Sequence, residues 1–296
     1  MSLTRLVGLA LFAGLLALLT GCTSSDATGT DAADSGVEVS TDTETAPEIT
    51  IPDGDPPEEL VVEVVVEGDG DEVKSGDLLV ADYVGQLWDT GEEFDSSWSR
   101  GEPAAFAIGA EQVIAGWDEG LVGQKVGSRV LLVIPPDLGY GDEESGPIPA
   151  GSTLVFVVDI RDSFSTDDAV GGTPVTDLPA GLPTVTGEPG EEPTVDVDGV
   201  EAPTQSTSVV VVEGSGDPIG EDANLVAHAV QVSLDTGEVL ASTWEETPLS
   251  LPAAGLPGLS EALEGQAAGT RVVTVLTEED GQGQAVVLVL DILGSY

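Results

Sequence analysis

The chain carries one pattern twice. Leu79-Val80-Ala81, Asp89-Thr90-Gly91-Glu92 and Trp98 recur as Leu225-Val226-Ala227, Asp235-Thr236-Gly237-Glu238 and Trp244, at a constant spacing of 146 residues. Further on, Gly123-Gln124, Gly127 and Arg129-Val130 recur as Gly265-Gln266, Gly269 and Arg271-Val272, and Asp159-Ile160 recurs as Asp291-Ile292. One ungapped spacing across strand-like runs and the turn between them marks an internal duplication. The fold must therefore be one that can be built twice within 296 residues.

Two segments separate the copies from what precedes them. Residues 23–57 hold nine acidic residues and four prolines, and residues 165–207 hold nine and six. Neither contains a basic or an aromatic residue. Such composition predicts too little burial to offset ordering entropy, so 22–57 is expected as a disordered acidic tether and 165–207 as an acidic, Pro-rich linker. Domains are then expected over 58–164 and 208–296, each of ordinary domain size.

Both read mainly as strands. Leu60 to Val66, Leu78 to Leu87, Arg129 to Ile134 and Thr153 to Ile160 are β-branched and largely apolar. One short helix fits between Gly109 and Gly123, where Ile114, Trp117, Leu121 and Val122 fall at helical spacing. Few strands with one helix predict an α+β fold, a sheet packed on a single short helix, in each domain.

Charge and composition exclude several functions. Seven Lys+Arg against 55 Asp+Glu give a net charge of −48, which rules out the basic patch that nucleic acid or an anionic membrane surface requires. One Cys and one His leave no zinc site of the Cys/His type and no intramolecular disulfide. Asp196-Val197-Asp198-Gly199 shares part of a calcium-loop pattern, but the later ligands are misplaced. His228 lies in a strand-like run and reads as structural.

The N-terminus reads as an address. Residues 1–21 have Arg5, then an apolar run from Leu6 to Leu19, the pattern of an export signal. The run ends in Leu19-Thr20-Gly21-Cys22, which resembles a bacterial lipobox. The resemblance implies a lipoprotein signal peptide, acylation of Cys22, and a chain held to the bilayer at the extracytoplasmic face of the cell membrane.

Nine of the eleven aromatic residues beyond the signal lie in the first domain, a concentration that suggests a lined pocket. Their setting, in Tyr83-Val84-Gly85, Phe94-Asp95-Ser96-Ser97, Gln112 to Leu121, Val126 to Arg129, Ile134-Pro135-Pro136-Asp137-Leu138-Gly139-Tyr140-Gly141, and Ile148 to Phe156, resembles the FKBP-type peptidyl-prolyl cis-trans isomerases. These motifs stand in the family's order over residues 59–163.

The resemblance implies a curved antiparallel sheet wrapped on a helix, with an apolar pocket between them. Tyr83, Phe94, Trp117 and Phe156 would form its walls and floor, Val113 and Ile114 its rim, and Asp95 and Tyr140 its polar groups. Arg100 would pair with Asp95, and Ile148 would flank a covering loop over 142–147. Ala104 stands where well-known members carry an aromatic, which implies a thinner wall. No metal or cofactor is implied, because the chemistry is physical. The X–Pro bond is planar behind a barrier of about 20 kcal/mol, and a pocket that favours the twisted bond accelerates exchange. The implied substrates are proline-containing peptides or unfolded exported proteins.

At the matching positions the second copy has Ala229, Leu240, Ala241, Leu259 and Leu288, so it is expected to keep the scaffold without the pocket. The expected function is isomerisation of X–Pro bonds outside the cytoplasmic membrane. The alternative is a non-catalytic chaperone or adaptor lipoprotein that uses the pocket as a peptide clamp. Nothing in the sequence sets an oligomeric state.

Overall fold

The structure is a computed structural model that describes residues 35–168, 171–187, 191–220 and 223–296. The expected signal peptide and Cys22 lie outside the described residues. No described helix is long and apolar enough to cross a membrane.

The chain begins with a hairpin, β1 (Glu38–Val39) and β2 (Ile49–Thr50), and continues through β3 (Val61–Val66), β4 (Leu78–Leu87) and β5 (Glu93–Ser96). A single helical turn, α1 (Ser97–Arg100), leads to β6 (Ala104–Ala107), helix α2 (Ala115–Leu121), β7 (Arg129–Ile134) and β8 (Leu154–Phe164). Strands β3 to β8 form one antiparallel sheet in the order β3-β7-β8-β4-β5, with β6 pairing the first half of β4.

The second half follows the same plan. After β9 (Gly172–Pro174) come a hairpin of β10 (Thr184–Thr186) and β11 (Thr194–Asp196), then β12 (Thr207–Gly214), β13 (Asn224–Ser233), β14 (Val239–Ser242) and β15 (Leu249–Pro252). Helix α3 (Leu259–Leu263), β16 (Arg271–Leu276) and β17 (Val286–Ser295) complete it. The sheet order is β14-β13-β17-β16-β12-β9, with β15 on β13. The fold is α+β, as the sequence predicts.

The duplication extends to irregularities. The first sheet shifts register between Val64 and Val66, Val80 and Ala81, and Gly85 and Gln86. The second shifts at Val210/Val212, Val226/Ala227 and Gln231/Val232, each 146 residues later. Bulges are inherited with a fold rather than placed at random.

Residues 35–57 and 165–207 differ from the expected tether and linker. Glu38↔Thr50 and Val39↔Ile49 pair in the first hairpin, and Thr184↔Asp196 and Val185↔Val195 pair 146 residues later in the second. The repeat therefore includes a hairpin ahead of each sheet. Val37, Val39, Ile49 and Ile51 pack on Val61, Trp88, Leu131, Val133, Val155 and Val157, the face of the first sheet that α2 leaves open. Leu182, Val185, Val195 and Val197 cover the matching face of the second. The acidic residues alternate with these apolar ones and face solvent, so average composition conceals the strands. The partial calcium pattern is a turn that follows the second hairpin, where the Asp196 carboxylate accepts the Asp198 N–H at 2.9 Å.

A buried ion pair fastens the first hairpin. Arg129, fully buried, donates to both Asp159 oxygens at 2.6 and 2.8 Å and to the carbonyls of Ser40 and Thr45 at 2.8 and 2.9 Å. Arg271 and Asp291 repeat the pair in the second sheet at 2.5 and 2.6 Å.

The two sheets touch. Leu78, Val80 and Phe164 cluster with Val226 and with the half-buried Leu293 and Tyr296. Phe164 packs so closely on Gly294 that a Cβ there would lie 2.5 Å from its ring. The Thr247 hydroxyl donates to the Gly76 carbonyl at 2.8 Å.

Candidate active site

The site forms where α2 crosses the concave face of the first sheet. Two glycines permit the crossing. A Cβ on Gly116 would lie 2.5 Å from Ile134 Cγ2, and one on Gly120 would lie 2.6 Å from Leu132 Cδ2. Spaced by four residues, they give the helix one flat stripe against β7. Trp117 and Leu121 flank that stripe and are buried, whereas Val122 caps the helix and faces solvent. The apolar helical stripe therefore ends at Leu121.

The loop before α2 is held from within. Asp118 accepts the backbone N–H groups of Gly109 at 2.6 Å and Glu111 at 3.0 Å. This holds Glu111 in the left-handed region, at φ 57°. Val113 and Ile114 are thereby placed at the rim. The Ile114 N–H has no hydrogen-bond acceptor among the described residues, since it precedes the first intrahelical bonds, which run from Trp117 and Asp118 back to its own carbonyl.

A second set of bonds shapes the opposite wall. Ser96 caps α1, and the buried Ser97 hydroxyl accepts the Tyr83 N–H at 2.9 Å while donating to Asp82 at 2.8 Å. That fixes β5 against β4 and places Asp95 beside Tyr83. The Tyr83 hydroxyl donates to Asp95 Oδ2 at 2.5 Å. Arg100 pairs with Asp95 Oδ1, donates to the Tyr83 oxygen at 2.9 Å, and lies 5.4 Å from the ring centre. Burial and the bond to Asp95 raise the Tyr83 pKa above the ordinary phenol value, so its hydroxyl remains a donor.

The result is a cavity of about 510 Å³. Of the expected residues, Tyr83, Phe94, Asp95, Val113, Ile114, Trp117, Tyr140, Ile148 and Phe156 line it, and Arg100 stands behind Asp95. The rings meet edge to face. Trp117 lies 5.5 Å from Tyr83 and 5.3 Å from Phe156, and Phe94 lies 5.4 Å from Phe156. Edge contacts of this kind hold ring orientation. The covering loop closes on reciprocal backbone bonds between Ser145 and Ile148, both at 3.0 Å. Tyr140 is exposed, and its hydroxyl has no partner among the described residues.

Ser145 to Pro147 of the expected covering loop also line it, whereas sequence reasoning gave Phe106 and Gln112 no place in the lining. Phe106 lies 4.9 Å from Trp117 and 5.6 Å from Tyr83. It stands two residues after Ala104 on the same face of β6, so strand alternation was the available signal. Phe106 lines the cavity, and Ala104 is not among the lining residues.

The second copy shows how the pocket is lost. Ala229 is buried in the place of Tyr83, while Leu240 and Ala241 turn to solvent in the places of Phe94 and Asp95. Thr243 keeps the strand contact of Ser97, accepting the Ala229 N–H at 2.9 Å. His228 occupies the Asp82 position, 3.2 Å from Thr243 Oγ1 and 5.3 Å from the Trp244 ring. It is 1% exposed, and burial lowers its pKa. Among the described residues, no group of three or more His, Cys, Asp or Glu could hold a metal ion.

Residues 70–161 match the FKBP-type peptidyl-prolyl cis-trans isomerase family. An FK506-binding protein of Streptomyces anulatus is 48% identical over 116 residues, which is 38% of this chain and 94% of that protein. A probable FK506-binding protein of Corynebacterium glutamicum is 46% identical over 114 residues, 38% of this chain and 95% of its own length. The solved structure of AtFKBP13 is 39% identical and covers 35% of this chain and 91% of its own, with a TM-score of 0.33. Because the chain covers nearly the whole length of the Streptomyces and Corynebacterium proteins at 48% and 46% identity, it belongs to the family of FKBP-type peptidyl-prolyl cis-trans isomerases.

Proposed function

We propose that the first domain isomerises X–Pro bonds in exported proteins, and that the chain does this at the outer face of the cytoplasmic membrane, anchored through acylated Cys22. The observation that carries the catalytic reading is the cage of Tyr83, Phe94, Trp117 and Phe156 beside the unpartnered Ile114 N–H. A proline ring fits against Trp117, between the aromatic walls. The planar amide is more dipolar than the twisted one, so an apolar, water-poor wall disfavours the ground state relative to the transition state. The Ile114 N–H and the Tyr140 hydroxyl are donors placed to take substrate carbonyls and hold the twist. Asp95, steadied by Tyr83 and Arg100, faces the amide that rotates. No bond is made or broken, so the side chains need only bind, orient and exclude water.

Anchoring rests on the Leu19-Thr20-Gly21-Cys22 pattern alone. Metabolic labelling with a fatty acid, comparing the native chain with Cys22→Ala, tests it. The native chain takes up label and sediments with membranes, and the variant does neither. Catalysis is tested by exchange of an Ala-Pro peptide on the full chain with Phe94→Ala beside it. Binding without accelerated exchange would make the protein a clamp.

A further inference from the structure

The pocket does not end at its rim. Gln112, which lines it beside Val113, also lines a second cavity of about 570 Å³ whose other walls are Ser75, Gly76, Thr166, Glu245, Glu246 and Thr247. The last three belong to the second domain, on the turn between β14 and β15. That turn is seated on the first domain by the bond from Thr247 to the Gly76 carbonyl. Pro248 beside it is buried, while Glu245 and Glu246 are exposed.

We propose that the second domain, having lost its own pocket, extends the substrate groove of the first. A peptide leaving the pocket over Gln112 enters this trough, where Glu245 and Glu246 select a Lys or Arg on that side of the proline. The proposal rests on the first domain being the peptide-binding site. One observation supports the charge preference. Neither carboxylate has an ion-pair partner among the described residues, whereas the cations Arg100, Lys125, Arg129, Arg161 and Arg271 are each paired elsewhere. Gln112 is the residue that lines both cavities, so the trough meets the pocket on the Gln112 side.

The test uses the full chain and three proline peptides that differ at one site: Lys three residues before proline, Lys three residues after it, and Ala at both. Affinity is read by titration and isomerisation by exchange, separately. One Lys peptide is expected to bind about twofold to fivefold more tightly than the Ala peptide, as an exposed ion pair would give, and the other to show little of this. In Glu245→Gln/Glu246→Gln the affinity ratio falls to about one, whereas Glu278→Gln/Glu279→Gln, with the same charge change on a loop at the other end of the second sheet, keeps it. Equal preference for both Lys peptides, or a ratio unchanged in the first variant, overturns the proposal. A one-sided preference without exchange would sustain it while refuting catalysis. Binding of none of the peptides overturns both.

Discussion

Gly85 lies directly beneath Phe94: a Cβ at that position would come within 2.6 Å of Phe94 Cζ and 2.8 Å of Phe156 Cε1. The Phe94–Phe156 contact therefore exists because β4 has no side chain there. In the second sheet the corresponding residue is Gln231, and the residue at the Phe94 position, Leu240, is 42% exposed. The cavity lined by Gln231, Leu256 and Leu288 is what remains. Gly85→Ala should displace the Phe94 ring and lower kcat/KM about tenfold, a loss of about 1.4 kcal/mol in transition-state binding. Thermal unfolding should change little, because the ring is at the pocket surface. Unaltered kinetics would show that the ring pair is not part of the site.

Asp95 and Arg100 are each nearly half exposed, at 46% and 42% of their side chains. Screening by water leaves their pairing little to add to stability. Asp95→Asn is expected to lower kcat/KM about tenfold while shifting the melting temperature by less than about 3 °C. A large fall in melting temperature with intact kinetics would assign the pair to the fold.

The hairpin of residues 35–57 covers a buried apolar face, and each large side chain it covers contributes about 1.5–3 kcal/mol. Several such contributions rival the whole stability of a domain. A fragment of residues 35–164 should unfold cooperatively, whereas one of residues 58–164 should bind hydrophobic dyes and aggregate. Within the full chain, Arg129→Ala leaves Asp159 buried without its partner and should cost about 3–5 kcal/mol. Equal stability of the two fragments would refute this role for the hairpin.

His228 should make the second domain sensitive to acid. It faces Thr243 and Trp244, with Asp291, Asp168 and the Ser165 backbone nearby. Burial outweighs these groups and depresses its pKa below the ordinary 6.5. The unfolded chain therefore takes up the proton first as pH falls below 6.5, and stability declines from there until the folded pKa is reached. The slope is at most about 1.4 kcal/mol per pH unit. Denaturant titrations of His228→Gln from pH 7 to pH 5 should show a shallower decline than the native chain. Parallel declines would exclude His228 as the cause.

The pocket was legible because its residues sit in short local motifs. Phe94-Asp95-Ser96-Ser97 encodes a ring, a carboxylate, a helix cap and a strand fastener in four positions, and each occupies that role. The hairpins were not legible, because Val37, Val39, Ile49 and Ile51 are scattered among nine acidic residues and four prolines. Their signal lay elsewhere, in β7. Arg129 to Ile134 is buried at every position, and a sheet with one wet face alternates instead. An uninterrupted apolar run of that kind requires a cover on both faces, and α2 supplies only one. The trough at Gln112 was not legible at all, since it depends on contact between elements 171 residues apart, Gly76 and Thr247.

Catalysis of X–Pro exchange by the aromatic pocket of the first domain, and not by the second domain, is tested by two-dimensional exchange spectroscopy on an Ala-Pro peptide, at equilibrium, with the full chain and its Trp117→Ala and Leu259→Ala variants. Exchange accelerated well above background by the native chain and by Leu259→Ala, but lost in Trp117→Ala, is the predicted result. Background exchange in the native chain, or full activity in Trp117→Ala, would contradict it.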